Sequence, residues 1–387
     1  MSVSRRSFIR NVGIGGALVF GRDFIGARGA EAWTGSAGAT PAPGTPKLIR
    51  LDSNENPDGP SQPTLDAVRQ AFPEASLYPH RAGTDLPEAI ARALGVPRVN
   101  VLAACGSGEI LRIAVQAFAG PSRPLVTAAP TFETCTGTAK FMKFPLVEVP
   151  LDQRLALDLP AMEAKASAGA GLVFVCNPNN PTGPVHGSKT IADFISRVRK
   201  AAPGAVILVD EAYHEYVDDS AYATAIPLAL EYPEVVVSRT FSKVYGLAGL
   251  RIGYAVGRPE TLQRMAGWRV GNGLNMLGIR AAIAALDDTA WVSKGRAANR
   301  AGREYLRRTF EGWGFTVAES HANFVFADIR RSAEDFQKQC RALGVSVGRP
   351  FPPLASWTRV SMGTEDELRQ AADVFRKVLG VSATFAF

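Results

Sequence analysis

The fold class is decided by residues 206–213, which read VILVDEAY. Four consecutive apolar residues end at two carboxylates, and a short continuous apolar run is typical of a strand buried on both faces of a sheet. Residues 172–183, which read LVFVCNPNNPTG, repeat the pattern and run into a turn rich in Asn, Pro and Gly. Both segments therefore predict strands of a parallel sheet with polar residues just past their carboxyl ends.

More segments of this kind lie on both sides of these two. Between several of them the apolar residues recur at positions i, i+3 and i+4, as at Ile110, Ile113 and Ala114, which is the periodicity of a helix. Apolar strands that alternate with helices predict an α/β fold with a mostly parallel sheet covered by helices on both faces. The other strands predicted for this sheet are residues 100–104, 125–128, 235–237 and 252–256.

The pattern changes after about residue 290, where long charged helices and short strands indicate a smaller α+β domain. The last helix opens on Thr364-Glu365-Asp366-Glu367, which fits a capping box. The predicted helices of this part are residues 300–311, 333–343 and 364–379, and the predicted strands are residues 315–317, 324–327, 345–347 and 358–361.

Length and composition limit the class of protein. A chain of 387 residues suggests two structural units at roughly 150 residues each, and 46% hydrophobic with 20% charged residues is the balance of a globular protein. The net charge of +7 comes without a long basic run, so nucleic acid is not expected as a partner. The four cysteines form no Cys-x-x-Cys pair, which argues against a metal site and against a disulfide framework. No apolar run reaches 18 residues, so no membrane span is predicted.

The first 46 residues differ from the rest of the chain. Arg5-Arg6 precede Ser-Phe-Ile, a modestly apolar run follows at residues 12–20, and Ala30-Glu31-Ala32 resembles a cleavage site. These features favour a twin-arginine export signal over residues 1–32, and a basic amphipathic helix that stays attached is the alternative. Residues 33–46 are predicted to be a flexible linker. We therefore expect the twin-arginine machinery to export the folded protein to the periplasm or beyond.

Three features that follow predicted strands bear on chemistry. Asp210 ends a strand whose other residues should be buried, where an unpaired carboxylate is costly. Lys243 follows the strand at residues 235–237 among hydroxyl-bearing and small residues, where partial desolvation favours its neutral, nucleophilic amine. Residues 105–109, which read CGSGE, precede a helix and present backbone N–H groups to an anion. Each feature alone also fits an ordinary loop or surface residue.

Together these motifs resemble the fold-type I pyridoxal-phosphate aminotransferases of class I/II, in particular the histidinol-phosphate aminotransferase family. The resemblance extends from about Leu51 to the end of the chain. The motifs stand in the family's order, with DSNENP at residues 52–57, NPNNPTG at 177–183, DEAY at 210–213 and SRTFSKVYGLAGLR at 238–251.

The resemblance implies an aspartate aminotransferase-like architecture. Its large domain has a mostly parallel sheet of the seven-stranded type, and a smaller α+β domain follows. On this basis we expect an amino-terminal arm that belongs with the small domain, a large cofactor domain and a small carboxyl-terminal domain, over residues 47–75, 76–285 and 286–387 respectively.

The resemblance also implies pyridoxal 5′-phosphate as the cofactor and assigns residues to it. Lys243 matches the lysine that bonds covalently to the cofactor and moves a proton, and Asp210 matches the acid that keeps the pyridine nitrogen protonated. Asn180 and Tyr213 match donors to the phenolic oxygen, with Tyr213 counted among the catalytic residues, and Phe132 matches the ring that stacks on the pyridine. Tyr78 matches a tyrosine that reaches the phosphate of the neighbouring subunit, which implies a homodimer. The phosphate site is assigned to Ser107, Gly108, Thr240, Ser242 and Arg251, and Glu109 is counted among the cofactor-binding residues.

Substrate binding is assigned to four residues. Arg359 matches the arginine that binds the substrate α-carboxylate through two parallel hydrogen bonds, and Asn54 lies in the first motif. Asp58 stands where relatives with phosphorylated substrates commonly carry Tyr, and a carboxylate there would repel a phosphate. Arg349 could bind an anion at the far end of the substrate or could serve the fold or the dimer.

These expectations lead to a functional hypothesis. The chain is expected to transfer an amino group between an α-amino acid, or a histidinol-phosphate-like amine, and a 2-oxo acid. A lyase, a racemase or an oxidase on the same scaffold is the first alternative, because the same lysine and phosphate site serve all of them. A non-catalytic protein that binds the cofactor is the second alternative.

Overall fold

The computed structural model describes residues 48–80 and 82–382. The predicted export signal at residues 1–32 and the predicted linker at residues 33–46 lie outside the described residues. Within the described part of the chain, no helix is both long enough and apolar enough to cross a membrane.

A seven-stranded sheet forms the centre of the fold, in the strand order β2-β8-β7-β6-β5-β3-β4. Neighbouring strands are parallel from β7 to β4, and β8 runs antiparallel to both of its neighbours. The prediction of a mostly parallel α/β sheet is therefore confirmed. The strands are β2 (Val101–Ala104), β3 (Leu125–Ala129), β4 (Leu146–Pro150), β5 (Leu172–Cys176), β6 (Val206–Asp210), β7 (Val235–Thr240) and β8 (Gly253–Gly257).

Helices cover both faces of this sheet. Along β5, Leu172 and Phe174 pack into one apolar cluster, whereas Val173 and Val175 pack into another. Because successive side chains of a strand point to opposite faces, a strand with both sets buried must be covered on both sides. The helices of this part are α1 (Gln62–Ala71), α2 (Ala82–Leu94), α3 (Ser107–Phe118), α4 (Thr134–Met142), α5 (Leu159–Ala166), α6 (Ser188–Ala201), α7 (Ile226–Glu231), α8 (Pro259–Ala266) and α9 (Met276–Asp287).

The carboxyl-terminal part has its own core, in which Phe310, Phe336 and Phe375 are fully buried. Its elements are α10 (Thr289–Gly312), β9 (Thr316–Val317), β10 (Phe324–Asp328), α11 (Ala333–Ala342), β11 (Val345–Val347), β12 (Trp357–Ser361) and α12 (Glu365–Leu379). The strand β1 (Ile49–Leu51) pairs in parallel with β11, so the start of the described chain is tied to this part. The exact limits of the two domains stay a prediction.

Three elements differ from the sequence prediction. Helix α10 begins at Thr289 rather than near residue 300, because the side chain of Asp288 caps it by accepting a hydrogen bond of 3.0 Å from the backbone N–H of Trp291. Strands β1 and β4 were not predicted. Only Val149 in β4 and Leu51 in β1 are buried, and such short edge strands lack the continuous apolar run that marks the central ones.

The predicted capping box at α12 is confirmed and yields a test of stability. Thr364 Oγ1 accepts from the backbone N–H of Glu367 at 3.3 Å, and a carboxylate oxygen of Glu367 accepts from the backbone N–H of Thr364 at 3.0 Å. We expect Thr364→Ala to lower the free energy of unfolding by about 1 kcal/mol, measured by urea denaturation. Thr364→Ser keeps the hydroxyl and is the control. Equal unfolding midpoints for the alanine and serine variants would contradict this role of the cap.

Candidate functional site

The polar residues that follow β5, β6 and β7 lie side by side at one edge of the sheet. The strand register places Cys176 opposite Asp210 and Asp210 opposite Ser238. Asp210 is 2% exposed, and the Ser238 hydroxyl donates a hydrogen bond to its Oδ1. Burial raises the pKa of Asp210 to about 6, although the Ser238 hydrogen bond and the Lys243 charge oppose the rise. This carboxylate is suited to hold a cationic N–H group, because such a partner would offset the cost of its burial.

The neighbouring Glu211 has a different role from Asp210. Its carboxylate accepts from Arg239 at 2.9 Å, from the Thr224 hydroxyl at 2.7 Å and from the backbone N–H of Ala225 at 2.7 Å. Both oxygens are therefore used inside the fold, and Glu211 is a structural residue. Asp210 is the carboxylate of this pair that remains able to take a ligand.

The amine of Lys243 lies close to the same edge, three residues after the end of β7. Its Nζ donates a hydrogen bond of 3.0 Å to the backbone oxygen of Asn54 and lies 5.4 Å from the centre of the Tyr213 ring. Burial is the main reason why the pKa of Lys243 falls to about 8, and the Arg359 charge lowers it further. A substantial fraction of this amine is thus neutral near pH 8, as a nucleophile or general base requires.

Tyr213 and Asn54 form a buried hydrogen-bond network beside this lysine. The Tyr213 hydroxyl accepts from Asn54 Nδ2 at 3.0 Å, and the Ser361 hydroxyl donates to Asn54 Oδ1 at 2.6 Å. The backbone N–H of Asn54 donates back to Ser361 Oγ at 2.9 Å. Burial raises the pKa of Tyr213, so its hydroxyl stays protonated and can donate to an oxyanion. The network fixes the direction in which that hydroxyl points.

The loop Asn177–Gly183 brings a second polar group to the site. Asn179 anchors the loop, since its side chain accepts from Thr131 at 2.8 Å and donates to Thr182 at 2.8 Å. Asn180 is 7% exposed, and its Oδ1 accepts from Arg359 Nη1 at 2.6 Å. With its oxygen engaged in this way, the amide N–H₂ of Asn180 remains as the donor.

Arg359, on β12, is a buried cation without a carboxylate partner among the described residues. Its Nη2 donates to the backbone oxygen of Asp52 at 2.7 Å, and its Nε is buried with no hydrogen-bond partner there. Burial lowers its pKa to about 10. A buried charge is stabilised when it is paired, so this guanidinium is available to an anionic ligand, and its binding of a substrate carboxylate stays a prediction.

A second candidate anion site lies where α3 begins. Helix α3 starts at Ser107, directly after Gly106. The first backbone N–H groups of a helix have no hydrogen-bond acceptor within that helix, so they can donate to an anion. A Cβ atom at Gly106, where φ is +76°, would collide with the Arg251 guanidinium, and one at Gly253 would collide with the backbone N of Ser107. The glycines therefore let the guanidinium and the helix start approach each other closely. Arg251 Nη1 lies 3.5 Å from Ser242 Oγ, which also accepts from Thr240 at 2.9 Å.

The remaining predicted residues have different environments. Phe132 is 37% exposed and Tyr78 is 72% exposed, so both rings are free to contact a ligand or a second chain. Asp58 is exposed, and its backbone N–H donates to Asn56 Oδ1 at 3.0 Å. Arg349 Nη2 forms an ion pair of 2.5 Å with Glu133 Oε1.

The carboxylate of Glu109 is engaged within the fold by two backbone N–H groups. One oxygen of its carboxylate accepts from the backbone N–H of Cys105 at 2.7 Å, and the other accepts from the backbone N–H of Val270 at 3.1 Å. Its own backbone N–H donates to Gly106 at 3.1 Å. The Glu109 side chain therefore supports the glycine-rich loop, and its part in cofactor binding stays a prediction.

Sequence reasoning missed Ser238, Ser361 and Glu133. Ser238 could have been found from the predicted strand register, since it lies opposite Asp210 in adjacent parallel strands. Ser361 and Glu133 carry no local signal, because the residues that they contact are distant in the sequence.

Comparison with known proteins gives a consistent result. A family model described as "Aminotransferase class I and II" matches residues 46–375. The histidinol-phosphate aminotransferase of Moorella thermoacetica is 37% identical over 343 residues, which cover 87% of this chain and 86% of that protein. The enzyme of the same name from Symbiobacterium thermophilum is 36% identical over 335 residues, covering 86% and 91%.

Solved structures agree with these sequence relatives. The crystal structure of histidinol-phosphate aminotransferase from Sinorhizobium meliloti in complex with pyridoxal 5′-phosphate matches with a TM-score of 0.80 and 29% identity, covering 86% of this chain and 91% of that one. The aspartate aminotransferase of Thermus thermophilus, at 21% identity and a TM-score of 0.76, covers 86% and 92% and shares the fold.

Proposed function

The chain belongs to the class I and II aminotransferases, and from this premise we propose that it uses pyridoxal 5′-phosphate to transfer an amino group from a carboxylate-bearing amine to a 2-oxo acid. The observation that carries the proposal is Lys243, whose buried amine has a pKa near 8 and is subject to the opposing charges of Asp210 and Arg359. The reaction needs a lysine for the covalent bond to the cofactor and a buried acid for its protonated pyridine nitrogen. It also needs two anion sites, one for the cofactor phosphate and one for the substrate carboxylate.

The residues present fit the cofactor. The approach of Arg251 to Gly106 and of Gly253 to the start of α3 forms a site for a phosphate group, since N–H donors and a guanidinium converge there. The carboxylate of Asp210 would hold the pyridine nitrogen in its protonated form, and Tyr213 and Asn180 would donate to the phenolic oxygen. Bound in this way, the cofactor supplies an electron-withdrawing ring that accepts the electron pair of a broken bond at the substrate Cα.

Three residues of the chain then have separate roles in the proposed reaction. Lys243 Nζ in its neutral form would accept a proton from the substrate Cα and then donate it to C4′ of the cofactor. Arg359 binds the substrate carboxylate and fixes which Cα bond faces the lysine, because a bidentate guanidinium sets the orientation as well as the position. Asn180, held by Arg359, links the carboxylate site to the phenolic oxygen.

A panel of amino donors, each tested with 2-oxoglutarate and with pyruvate as the amino acceptor, tests the proposal. Appearance of glutamate or alanine together with the 2-oxo acid that matches the donor is the expected result. Release of ammonia or hydrogen peroxide without a new amino acid would instead favour the lyase or oxidase alternative, and loss of optical activity alone would favour the racemase.

Histidinol phosphate is the second candidate donor, and the names of the relatives favour it. Asp58 bears on this candidate, because a carboxylate facing the substrate would repel a phosphate. We expect Asp58→Tyr to raise kcat/KM for L-histidinol phosphate by roughly tenfold and to leave kcat/KM for small neutral amino acids unchanged. Equal kcat/KM values for wild type and Asp58→Tyr would contradict this effect of Asp58.

A homodimer is proposed as the working form. Several large apolar side chains are exposed in the single chain, and a second copy is the natural partner to cover them. Sedimentation equilibrium tests this, and a monomer at micromolar concentration would reject it. The exposed side chains are Phe72, Leu77, Tyr78, Trp268 and Val270.

Export through the twin-arginine machinery is proposed on the sequence of residues 1–32. That route carries folded proteins, so the cofactor could be loaded before export. Cell fractionation of the wild type and of an Arg5→Lys/Arg6→Lys variant tests it. The wild type is expected outside the cytoplasm and the variant inside, and equal distribution of the two would reject the proposal.

A further inference from the structure

Arg349 lies beside the guanidinium that is proposed to bind the substrate carboxylate. The guanidinium carbons of Arg349 and Arg359 both lie over the ring of Phe351, at 4.4 Å and 5.0 Å from the ring centre respectively. Gly348 also lies against Arg359, since a Cβ atom there would be 2.8 Å from the backbone oxygen of Arg359 and 3.4 Å from its Nε. A second cation is therefore fixed next to the first.

Arg349, the second cation, forms an ion pair with a carboxylate from another part of the fold. Arg349 Nη2 pairs with Glu133 Oε1 at 2.5 Å, and Arg349 Nη1 donates to the backbone oxygen of Pro350 at 2.7 Å. Glu133 directly follows Phe132, in the loop between β3 and α4, whereas Arg349 follows β11. The ion pair thus joins the loop that carries the predicted ring-stacking residue to the loop that leads to Arg359.

The exposure of the pair decides what it can do. The side chains of Arg349 and Glu133 are 38% and 64% exposed. An ion pair that is open to water contributes little to stability, so it is not needed to hold the two loops together. Its charge still acts on a ligand, because an anion near Arg349 meets the Glu133 carboxylate at short range.

We propose that Glu133 is a specificity-determining residue, which occupies Arg349 and so selects against amino donors with a second anionic group. This inference rests on the proposed function and names its substrate class, which is α-amino acids with uncharged side chains. A dicarboxylate or a phosphorylated amine must displace Glu133 from Arg349 and then remain beside its carboxylate. A donor with an uncharged side chain leaves the pair intact.

Equilibrium binding to the cofactor-loaded enzyme tests the inference. Succinate and butyrate both carry one carboxylate for Arg359, and only succinate carries a second. We expect Glu133→Gln to strengthen the binding of succinate by about tenfold and to leave butyrate unchanged, measured by titration of the visible absorbance. In a second variant, Glu133→Gln combined with Arg349→Gln, the gain for succinate should be lost.

The matched control is Glu148→Gln, which removes an exposed glutamate that pairs with Lys140 at 3.6 Å, away from Arg359. An unchanged ratio of succinate to butyrate affinity in Glu133→Gln would overturn the inference, and so would an equal change in the control. Glu133→Gln should also raise the single-turnover rate with glutamate, which carries a second carboxylate, and leave the rate with glutamine unchanged. Failure of the proposed function is distinct, because the wild type would then react with neither these nor any other amino donor.

Discussion

Lys243→Ala is expected to abolish the absorbance band of the lysine-bound cofactor, leaving that of the free aldehyde, and to reduce transamination by roughly 10³-fold or more. The absorbance depends on the covalent bond between the Lys243 amine and the cofactor, and the rate depends on the same amine as the group that moves the proton. The phosphate site at Gly106 and Arg251 does not involve this side chain, so the variant should still bind the cofactor non-covalently. Spectroscopy and a donor assay on the same preparation measure both effects.

A matched control separates this result from a general loss of structure. Lys294 lies on α10 with its amine 4.6 Å from the centre of the Trp291 ring, so Lys294→Ala removes a lysine that contacts another aromatic ring. The control should keep the absorbance and the rate of the wild type. Undiminished absorbance in Lys243→Ala would show that another amine holds the cofactor, and a wild type that stays colourless with added cofactor would reject the cofactor itself.

The sequence was sufficient to predict the large sheet and the positions of groups at its edge. Parallel strands place their carboxyl ends together, so residues that follow separate apolar runs must meet in space. This is why Asp210 and Asn180 could be predicted near each other from the patterns around residues 206–213 and 172–183 alone. The roles of the individual residues were predicted from the resemblance to a family, because the position of a lysine or an arginine in the sequence does not by itself identify its ligand.

The connections within the site could not be predicted, because they join distant segments. Asn54 and Ser361 are 307 positions apart, and Arg359 and Asn180 are 179 positions apart. Such pairs depend on how the carboxyl-terminal strands pack against the edge of the large sheet. Local sequence patterns do not predict this packing. Glu109 is a further example, since its carboxylate accepts from the backbone N–H of Cys105 nearby and of Val270, which is 161 positions away in the sequence.

Arg359→Gln is expected to reduce kcat/KM for α-amino acids by roughly 10²- to 10³-fold, because two charge-assisted hydrogen bonds to the substrate carboxylate are lost. The structure adds a second consequence. Arg359 Nη1 also holds Asn180, so the amide that is proposed to donate to the phenolic oxygen loses its anchor. The absorbance spectrum of the loaded variant should therefore shift, whereas loss of carboxylate binding alone would leave it unchanged.

A comparison of two donors separates these effects. An amine without a carboxylate gains nothing from Arg359 as a carboxylate ligand, so its rate should fall only through the loss of the Asn180 anchor. The ratio of kcat/KM for alanine to that for ethylamine measures carboxylate binding by itself, and we expect it to fall by about two orders of magnitude in Arg359→Gln. Arg349→Gln is the control, because its guanidinium is paired with Glu133 and should leave this ratio unchanged. An equal loss for both donors in Arg359→Gln would place the substrate carboxylate elsewhere and would assign Arg359 to the support of Asn180 and of the Asp52 backbone alone.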